Sequence, residues 1–183
     1  LLARKDALHQ YESKESIDRR EEIIDKYAEY IASIDKQMRG LMEHDDEIKR
    51  NYELISSVKG IGLVNAINTL VYTNNFTSFQ TPRQYACYCG IAPFEHTSGT
   101  SIKGRTAVSK MGNQQLKCEL TMAARSAIIH DPWMKQYYKR KMMSKGNAPG
   151  AHGIVLNAIK FKLIVRMFSV VKSGIPYKVM AYC

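Results

Sequence analysis

The stretch Val58-Lys59-Gly60-Ile61-Gly62-Leu63-Val64-Asn65-Ala66 decides how this chain folds. Apolar residues at helical spacing precede it over residues 48–58 and follow it over residues 64–71. Glycine permits the sharp reversal between two adjacent helices, because it has no Cβ atom. The sequence therefore predicts a helix-hairpin-helix over about residues 48–72, in which the first helix ends at Lys59-Gly60.

This hairpin has a functional and a purely structural interpretation. In a helix-hairpin-helix the glycines let the backbone approach a phosphate, and the second helix points its free N–H groups at that phosphate. On this interpretation Lys59, Gly60 and Gly62 contact DNA. The alternative is a helix–helix turn that needs glycine for packing alone. The adjacent lysine and the positive charge around it favour DNA binding.

Charge is divided unevenly along the chain, whose formal net charge is +10. Residues 1–50 carry 10 Lys and Arg against 13 Asp and Glu, a balance of −3, whereas residues 51–183 carry 17 against 4, a balance of +13. A segment so poor in carboxylates can neutralise phosphates and release their counterions. Solubility alone does not require this asymmetry, so it favours a nucleic-acid partner.

Residues 1–44 are predicted to form a long coiled-coil arm, because an apolar residue recurs every seven positions. These positions are Ile17, Ile24, Ile31 and Met38, with Tyr27, Ile34 and Leu41 at the intervening places of the heptad. The second helix comes either from the same chain or from another copy, and we expect at least a homodimer. A coiled-coil assembly protein with incidental positive charge is a competing interpretation.

Residues 45–183 are predicted to form a compact helical domain, so the fold class is mainly α. Helices are expected to begin at Thr81-Pro82, at Asn113 and after Asp131-Pro132, with a final helix over about residues 152–172. Residues 91–112 lack helical periodicity and hold several Gly, Ser and Thr residues. They are expected to form an irregular basic loop or a short hairpin.

This loop combines hydroxyl groups, glycines and cations in two runs, Ser98 to Arg105 and Ser109 to Asn113. Glycine allows close approach of a phosphate, and the cations would stabilise its charge. The predicted phosphate contacts are Gly99, Thr100, Ser101, Lys103, Arg105, Ser109, Lys110 and Asn113. Ser98 is a candidate nucleophile, but no His–Asp pair accompanies it to activate the hydroxyl. Judged from these residues alone, a phosphate-binding loop is favoured over a catalytic one.

No metal site or cofactor is predicted within this chain. A metal-dependent nuclease needs converging carboxylates, and most of the acidic residues lie on the arm. The histidines are scattered without ligand spacing, at positions His9, His44, His96, His130 and His152. The pair Tyr137-Tyr138 lies among four basic residues and is either a nucleophile, a stacking surface or, as is more usual, part of a basic helix face.

The expected location is the bacterial cytoplasm, with no membrane span. The longest apolar stretch, residues 154–171, is interrupted by Lys160, Lys162 and Arg166. The four cysteines have neither zinc spacing nor the density of a secreted disulfide scaffold, which is typical of reduced thiols. Because the first residue is Leu1 and the sequence shows no signal-peptide pattern, we expect a fragment of a longer protein.

An ordered series of motifs resembles a known family. The series is Gly60-Ile61-Gly62, Phe76, residues 84–93 (Gln-Tyr-Ala-Cys-Tyr-Cys-Gly-Ile-Ala-Pro), Ser98-Gly99, Gly104-Arg105, residues 108–113 (Val-Ser-Lys-Met-Gly-Asn) and Leu116. It is similar to the C-terminal transposase domain of bacterial insertion-sequence transposases that have an N-terminal RuvC-like DEDD domain. These proteins are related to pilin-gene invertases and are also known as bridge-RNA-guided recombinases. The resemblance covers roughly residues 50–178.

The resemblance implies that Ser98 is the catalytic serine, which attacks the scissile phosphate and leaves a transient phosphoserine link. It also implies that double-stranded DNA, a guide (bridge) RNA and the RuvC-like domain of the same protein are partners. Magnesium and four acidic residues of that domain would complete the site, so this fragment is expected to bind DNA without cutting it. Lys103 and Lys117 stand where arginine is frequent, which keeps the charge but not bidentate phosphate contacts. The rival is a non-catalytic helix-hairpin-helix module that only binds DNA.

Overall fold

A computed structural model of the protein describes residues 14–94, 97–98, 102–103, 107–109, 111–146 and 148–178, with the backbone alone at residues 97, 98, 102, 103 and 107. The chain divides into two compact units, Leu1–Asp45 and Asp46–Cys183. Helices dominate both units, which confirms the predicted mainly α class. No helix among these residues is long and apolar enough to cross a membrane.

The first unit contains one long helix, α1, over Lys14–Met42. Proline is absent from it, and exposed pairs four residues apart, Arg19 with Glu15 and Lys26 with Glu22, support it locally. None of its residues is buried. Five of the seven apolar heptad positions are exposed, from 52% at Ile24 to 73% at Leu41, and the other two, Ile17 and Met38, are half-buried. The helix is as predicted, and its pairing stays a prediction; residues 1–13 of the predicted arm lie outside the described residues.

The described residues of the second unit form six helices and a small β-ribbon. The helices are α2 (Asp46–Ser56), α3 (Leu63–Thr73), α4 (Pro82–Tyr88), α5 (Gln114–His130), α6 (Pro132–Lys145) and α7 (Ala151–Ser173). Helix α7 contacts α2, α4, α5 and α6 and is the centre of the unit. Its fully buried residues include Ile159, Leu163, Ile164 and Met167, which recur about once per helical turn on the face that packs against the other helices.

Local capping explains where three of these helices begin. Thr81 accepts a hydrogen bond from the N–H of Gln84, whose side chain accepts one from the N–H of Thr81, and Pro82 occupies the first turn. Asn113 caps α5 through its side chain, and Asp131 caps α6. All three starts agree with the sequence prediction. Helix α2 ends at Ser56, earlier than the Lys59-Gly60 end expected from the pattern, and the Ser57 hydroxyl then donates to the Leu54 carbonyl.

Four short strands between residues 93 and 108 form two nested antiparallel pairs, and we call this part of the chain the ribbon. Its strands are β1 (Pro93–Phe94), β2 (Thr97–Ser98), β3 (Ile102–Lys103) and β4 (Ala107–Val108). Strand β1 pairs with β4, and β2 pairs with β3. Of the two forms expected for residues 91–112, the described residues adopt the short hairpin.

A buried carboxylate ties the helices to the C-terminal segment. Asp131 is fully buried and accepts hydrogen bonds from the N–H groups of Trp133 and Met134. Its Oδ2 atom also accepts from Arg166 at 2.5 Å and from the Tyr177 hydroxyl at 3.1 Å. A buried charge needs such a complete set of partners, because removing one leaves an uncompensated group in a dry environment. Asp131 is therefore a structural residue.

Candidate nucleic-acid interface

Two glycines fix the base of the ribbon. Gly90 has a φ of +64°, and a Cβ atom on Gly112 would lie 2.3 Å from both the Cα and the N atoms of Gly90. Only glycine lets these two backbones touch. The Asn113 N–H donates to the Tyr88 carbonyl at 2.9 Å across the same contact. The segment leaving the ribbon is thus held against the segment entering it.

Helix α7 holds the entering segment from the other side. Ile91 and Ala92 are fully buried, and the Asn157 amide donates to the Ile91 carbonyl at 2.6 Å. The ribbon therefore starts from a fixed position on the helical core. A loop placed on a rigid scaffold is the usual location of binding and catalytic residues.

Ser98 lies in the inner strand pair of the ribbon. Its backbone pairs with Ile102, and the neighbouring pair joins Thr97 to Lys103. The structure thus brings Ser98 and Lys103 into adjacent pairs of one hairpin. The predicted contacts at Gly99, Thr100, Ser101, Arg105 and Lys110 lie outside the described residues.

Ser109 and Asn113, predicted as phosphate contacts, also have local structural roles. The Ser109 hydroxyl accepts from the Met111 N–H at 3.1 Å, and the Asn113 side-chain oxygen accepts from the Leu116 N–H at 3.1 Å. The sequence predicted that a helix begins at Asn113, where Asn is a recognised cap, but it assigned no structural role to Ser109. Both residues are partly exposed, so their remaining polar atoms stay accessible.

An open cleft of about 400 Å³ lies beside the base of the ribbon. It is lined by Cys87, Tyr88, Phe94, Ser109, Met111, Gly112 and Asn113. The rings of Tyr88 and Phe94 are 41% and 42% exposed. Exposed aromatic rings beside polar groups can stack on nucleic-acid bases. This pair was not identified from the sequence alone. The signal available in the sequence was that each aromatic residue lies next to the Gly90–Pro93 segment.

The DNA contacts predicted in the hairpin between α2 and α3 are of two kinds. Gly60 has a φ of +98°, and a Cβ there would lie 2.6 Å from the Ala123 carbonyl oxygen and 2.7 Å from Ala127 Cβ. Gly60 is thus required for packing against α5. Gly62 is exposed, nothing lies within 4 Å of the position that a Cβ atom would take there, and no side chain caps α3. Together with exposed Lys59, it presents an open helix start of the kind that attracts anions.

A buried lysine adds positive charge close to the ribbon base. Lys160 is 6% exposed, and its Nζ atom donates to the Thr121 hydroxyl at 3.1 Å. Burial lowers the pKa of Lys160, and repulsion from Lys117 lowers it further. No carboxylate in the described part of the chain forms a salt bridge with it. Lys160 lies one helical turn after Asn157, so this charge stands near the Ile91 contact.

The described cysteine and acidic residues do not form a second reactive centre. Burial raises the pKa of the Cys89 thiol from 9.0 to about 12, which makes it a poor nucleophile. Within the described ranges, no three His, Cys, Asp or Glu side chains are grouped to hold a metal ion. These residues therefore do not fit a magnesium site.

The sequence matches known proteins over much of its length. Residues 52–139 match the family model described as transposase IS116/IS110/IS902 family. The chain is 26% identical over 151 residues to a pilin gene-inverting protein of Moraxella bovis, which aligns 82% of this chain with 46% of that protein. It is 28% identical over 159 residues to an uncharacterised 43.6 kDa protein of insertion element IS110 from Streptomyces coelicolor, aligning 85% of this chain with 38% of that protein.

The chain spans less than half the length of these curated relatives. The family match nevertheless includes the hairpin after α2, the whole ribbon and the Gly90–Gly112 contact. Residues 52–139, which run from α2 into α6, are therefore similar to the transposases of the IS116/IS110/IS902 family.

Proposed function

We propose that this chain is the DNA-binding, serine-bearing part of a DNA transposase or recombinase, and that Ser98 is its nucleophile. The observation that carries this proposal is the family match over residues 52–139, which contains Ser98 and the fixed base of its ribbon. A nucleophile must be held at a defined position relative to its phosphate, since small displacements lower the rate steeply. The glycine contact and the Asn157 hydrogen bond supply that fixed position.

The proposed reaction exchanges one phosphodiester bond for another. The Ser98 oxygen attacks phosphorus and forms the serine–phosphate bond, while the bond from phosphorus to the leaving DNA oxygen breaks. The serine proton is lost to a base, and the leaving oxygen takes up a proton. A DNA hydroxyl later attacks the same phosphorus and regenerates Ser98. A serine needs an activating partner for this step, and the described residues supply no His–Asp pair.

We assign the activation of Ser98 to a RuvC-like domain of the same protein. Its four acidic residues would bind magnesium, which stabilises developing negative charge on the phosphate. Because the described residues of this chain do not fit a metal site, the chain alone is expected to bind DNA without cleaving it. A guide RNA is the further partner implied by the resemblance. Pairing through the open heptad positions of α1 would bring two copies together.

DNA binding is assigned to the exposed hairpin and to the ribbon. Lys59 and Gly62 offer a cation beside an uncapped helix start, and further cations are Lys103 and Arg105 of the ribbon and Lys110 after it. Such contacts hold the phosphate backbone without reading base sequence. Base recognition then falls to the guide RNA.

The catalytic assignment is tested by Ser98→Ala in the full-length enzyme. We expect recombination and the covalent protein–DNA product to be lost, with DNA affinity nearly unchanged. Ser144→Ala is the matched control, because the Ser144 hydroxyl is exposed on α6 and donates to the Lys141 carbonyl. A covalent product that survives in Ser98→Ala but disappears in Ser101→Ala would refute the assignment. Full recombination by Ser98→Ala would favour the non-catalytic DNA-binding module instead.

The DNA-binding assignment is tested with the chain itself. We expect a labelled duplex of random sequence to bind at low salt and to dissociate steeply as salt rises, because phosphate contacts release counterions. Lys59→Gln should weaken binding and reduce the salt dependence by about one unit of slope. Affinity that is absent, or that does not change with salt, would contradict the proposal.

A further inference from the structure

Helices α6 and α7 carry a surface on which cations surround aromatic rings. Trp133 and Tyr137 lie one turn apart on α6 and stack with ring centroids 5.4 Å apart and planes inclined by 7°. The Lys162 ammonium on α7 lies 4.9 Å from the Trp133 centroid and 4.7 Å from the Tyr137 centroid. We define the α6–α7 patch as Trp133, Tyr137, Arg140, Lys141, Lys162 and Arg166.

Three further cations approach the same two rings. The Arg140 guanidinium and the Lys141 ammonium lie 5.6 and 5.9 Å from the Tyr137 centroid, and the Arg166 guanidinium lies 4.9 Å from the Trp133 centroid. Contact with the negative face of an aromatic ring holds each cation near a fixed position. Less conformational entropy is then lost when these side chains bind an anion.

Negative charge within the patch is not sufficient to balance these cations. Asp131 is buried and forms its ion pair with Arg166. Among the described residues, no carboxylate forms a salt bridge with Arg140, Lys141 or Lys162. Burial and repulsion from Arg166, Arg140 and Lys141 lower the pKa of Lys162. An anion bound here would relieve that repulsion.

We propose that the α6–α7 patch binds the phosphate backbone of nucleic acid, as a second contact region separate from the hairpin and the ribbon. Its cations are grouped within 6 Å of two rings rather than spread over a face, which suits successive phosphates of a single strand. Arg140, Lys141, Lys162 and Arg166 also lie beyond residue 139, where the family match ends. The choice of nucleic acid over another polyanion rests on the proposed function.

The test compares two double variants of α6 in the full chain. Arg140→Gln with Lys141→Gln removes two cations from the patch. Lys135→Gln with Lys139→Gln is the matched control, because it removes two exposed cations from the same helix at positions that helical spacing places on its other side. Unfolding midpoints measured for both variants exclude a general loss of structure.

Two measurements distinguish DNA binding at the α6–α7 patch from general electrostatic attraction of DNA to the chain. The first is affinity for a labelled random-sequence duplex in a salt series. The second is the emission of Trp133, which is the only tryptophan in the sequence and lies within the patch. We expect DNA to change this emission in the wild-type chain. The patch variant should bind about tenfold more weakly at about 0.1 M salt with a slope lower by about two, and the control should lose less than about twofold.

Each of the following results would overturn the proposal. Equal losses in both double variants would mean that only total charge matters, and an unchanged Trp133 emission on DNA binding would place DNA elsewhere. Equal competition by polyglutamate would indicate a general polyanion surface. If the wild-type chain binds DNA and the patch variant binds equally well, only this inference fails. If the wild-type chain binds no DNA, the proposed function fails as well.

Discussion

Gly112→Ala is the most direct test of how the ribbon is positioned. The added Cβ atom would lie 2.3 Å from the Cα and N atoms of Gly90 and 2.9 Å from the Cys89 carbonyl carbon. All three are backbone atoms, which cannot move aside as the end of a flexible side chain can. The two segments at the ribbon base must therefore separate, and the hydrogen bond from Asn113 N–H to the Tyr88 carbonyl must lengthen.

The expected cost follows from the packing of this contact. Overpacking a dense interior typically costs about 1–3 kcal/mol, and contact with immovable backbone belongs at the upper end of that range. Loss of a backbone hydrogen bond adds about 1 kcal/mol. We therefore expect the free energy of unfolding to fall by about 3 kcal/mol and the melting temperature of the compact unit to fall by about 10 °C. Urea unfolding followed by circular dichroism measures the first quantity directly.

Gly62→Ala is the control for this prediction. Nothing lies within 4 Å of a Cβ atom at Gly62, and its φ of −97° suits any residue. We expect its stability to stay within about 0.5 kcal/mol of the wild type, because the restriction that alanine places on the unfolded chain is offset by its lower preference for a helix N-cap. If Gly112→Ala were as stable as Gly62→Ala, the close contact at the ribbon base would be wrong, and with it the argument that Ser98 stands on a fixed support.

Three further predictions concern the interior of the compact unit. Asp131→Ala should lower the free energy of unfolding by about 3–5 kcal/mol in urea titrations, because it removes the buried carboxylate that pairs with Arg166 and caps α6. Glu22→Ala, which breaks an exposed pair, should change nothing measurable. Iodoacetamide at pH 8 should label the exposed Cys118 thiol quickly and the buried Cys89 thiol about a thousandfold more slowly than a free thiol. Peptide mapping measures both rates, and similar rates at the two cysteines would contradict the burial of Cys89. The pKa of Lys160 is lower in the folded chain than its ordinary 10.5, so the free energy of unfolding should rise with pH between the lowered value and 10.5. Lys160→Met should remove this part of the rise, as measured by unfolding at several pH values in that interval.

Local sequence signals predicted the helices well. Thr81-Pro82 and Asp131-Pro132 each place a capping side chain before a proline, and the structure begins α4 and α6 there. Asn113 also caps α5 at the predicted start, although no proline follows it. These signals succeed because a cap and the first turn it satisfies lie within four residues. The end of α2 was placed too late, since helix ends carry weaker local signals than caps.

Local sequence patterns predicted only part of the candidate site. The residues of the ribbon suggested phosphate binding, and the catalytic role of Ser98 came from the ordered series of motifs rather than from any activating neighbour. The Tyr88–Phe94 cleft was not predicted. The α6–α7 patch was predicted only in part: a stacking surface or a basic face at Tyr137 was among the interpretations, but the contributions of Lys162 and Arg166 from α7 were not. Each combines residues from separate elements, and sequence spacing does not report which elements meet.

The sequence by itself determined the helical class, the helix starts and the concentration of positive charge after residue 50, because each depends on neighbouring residues or on composition. Only the tertiary structure distinguished Gly60 and Gly112, which are required by close backbone contacts, from Gly62, which is not. It also joined Asp131 to Arg166 and Tyr177, which are 35 and 46 residues away. The physical reason is that burial, repulsion and close packing act between groups that the fold brings together, and these groups lie far apart in the chain.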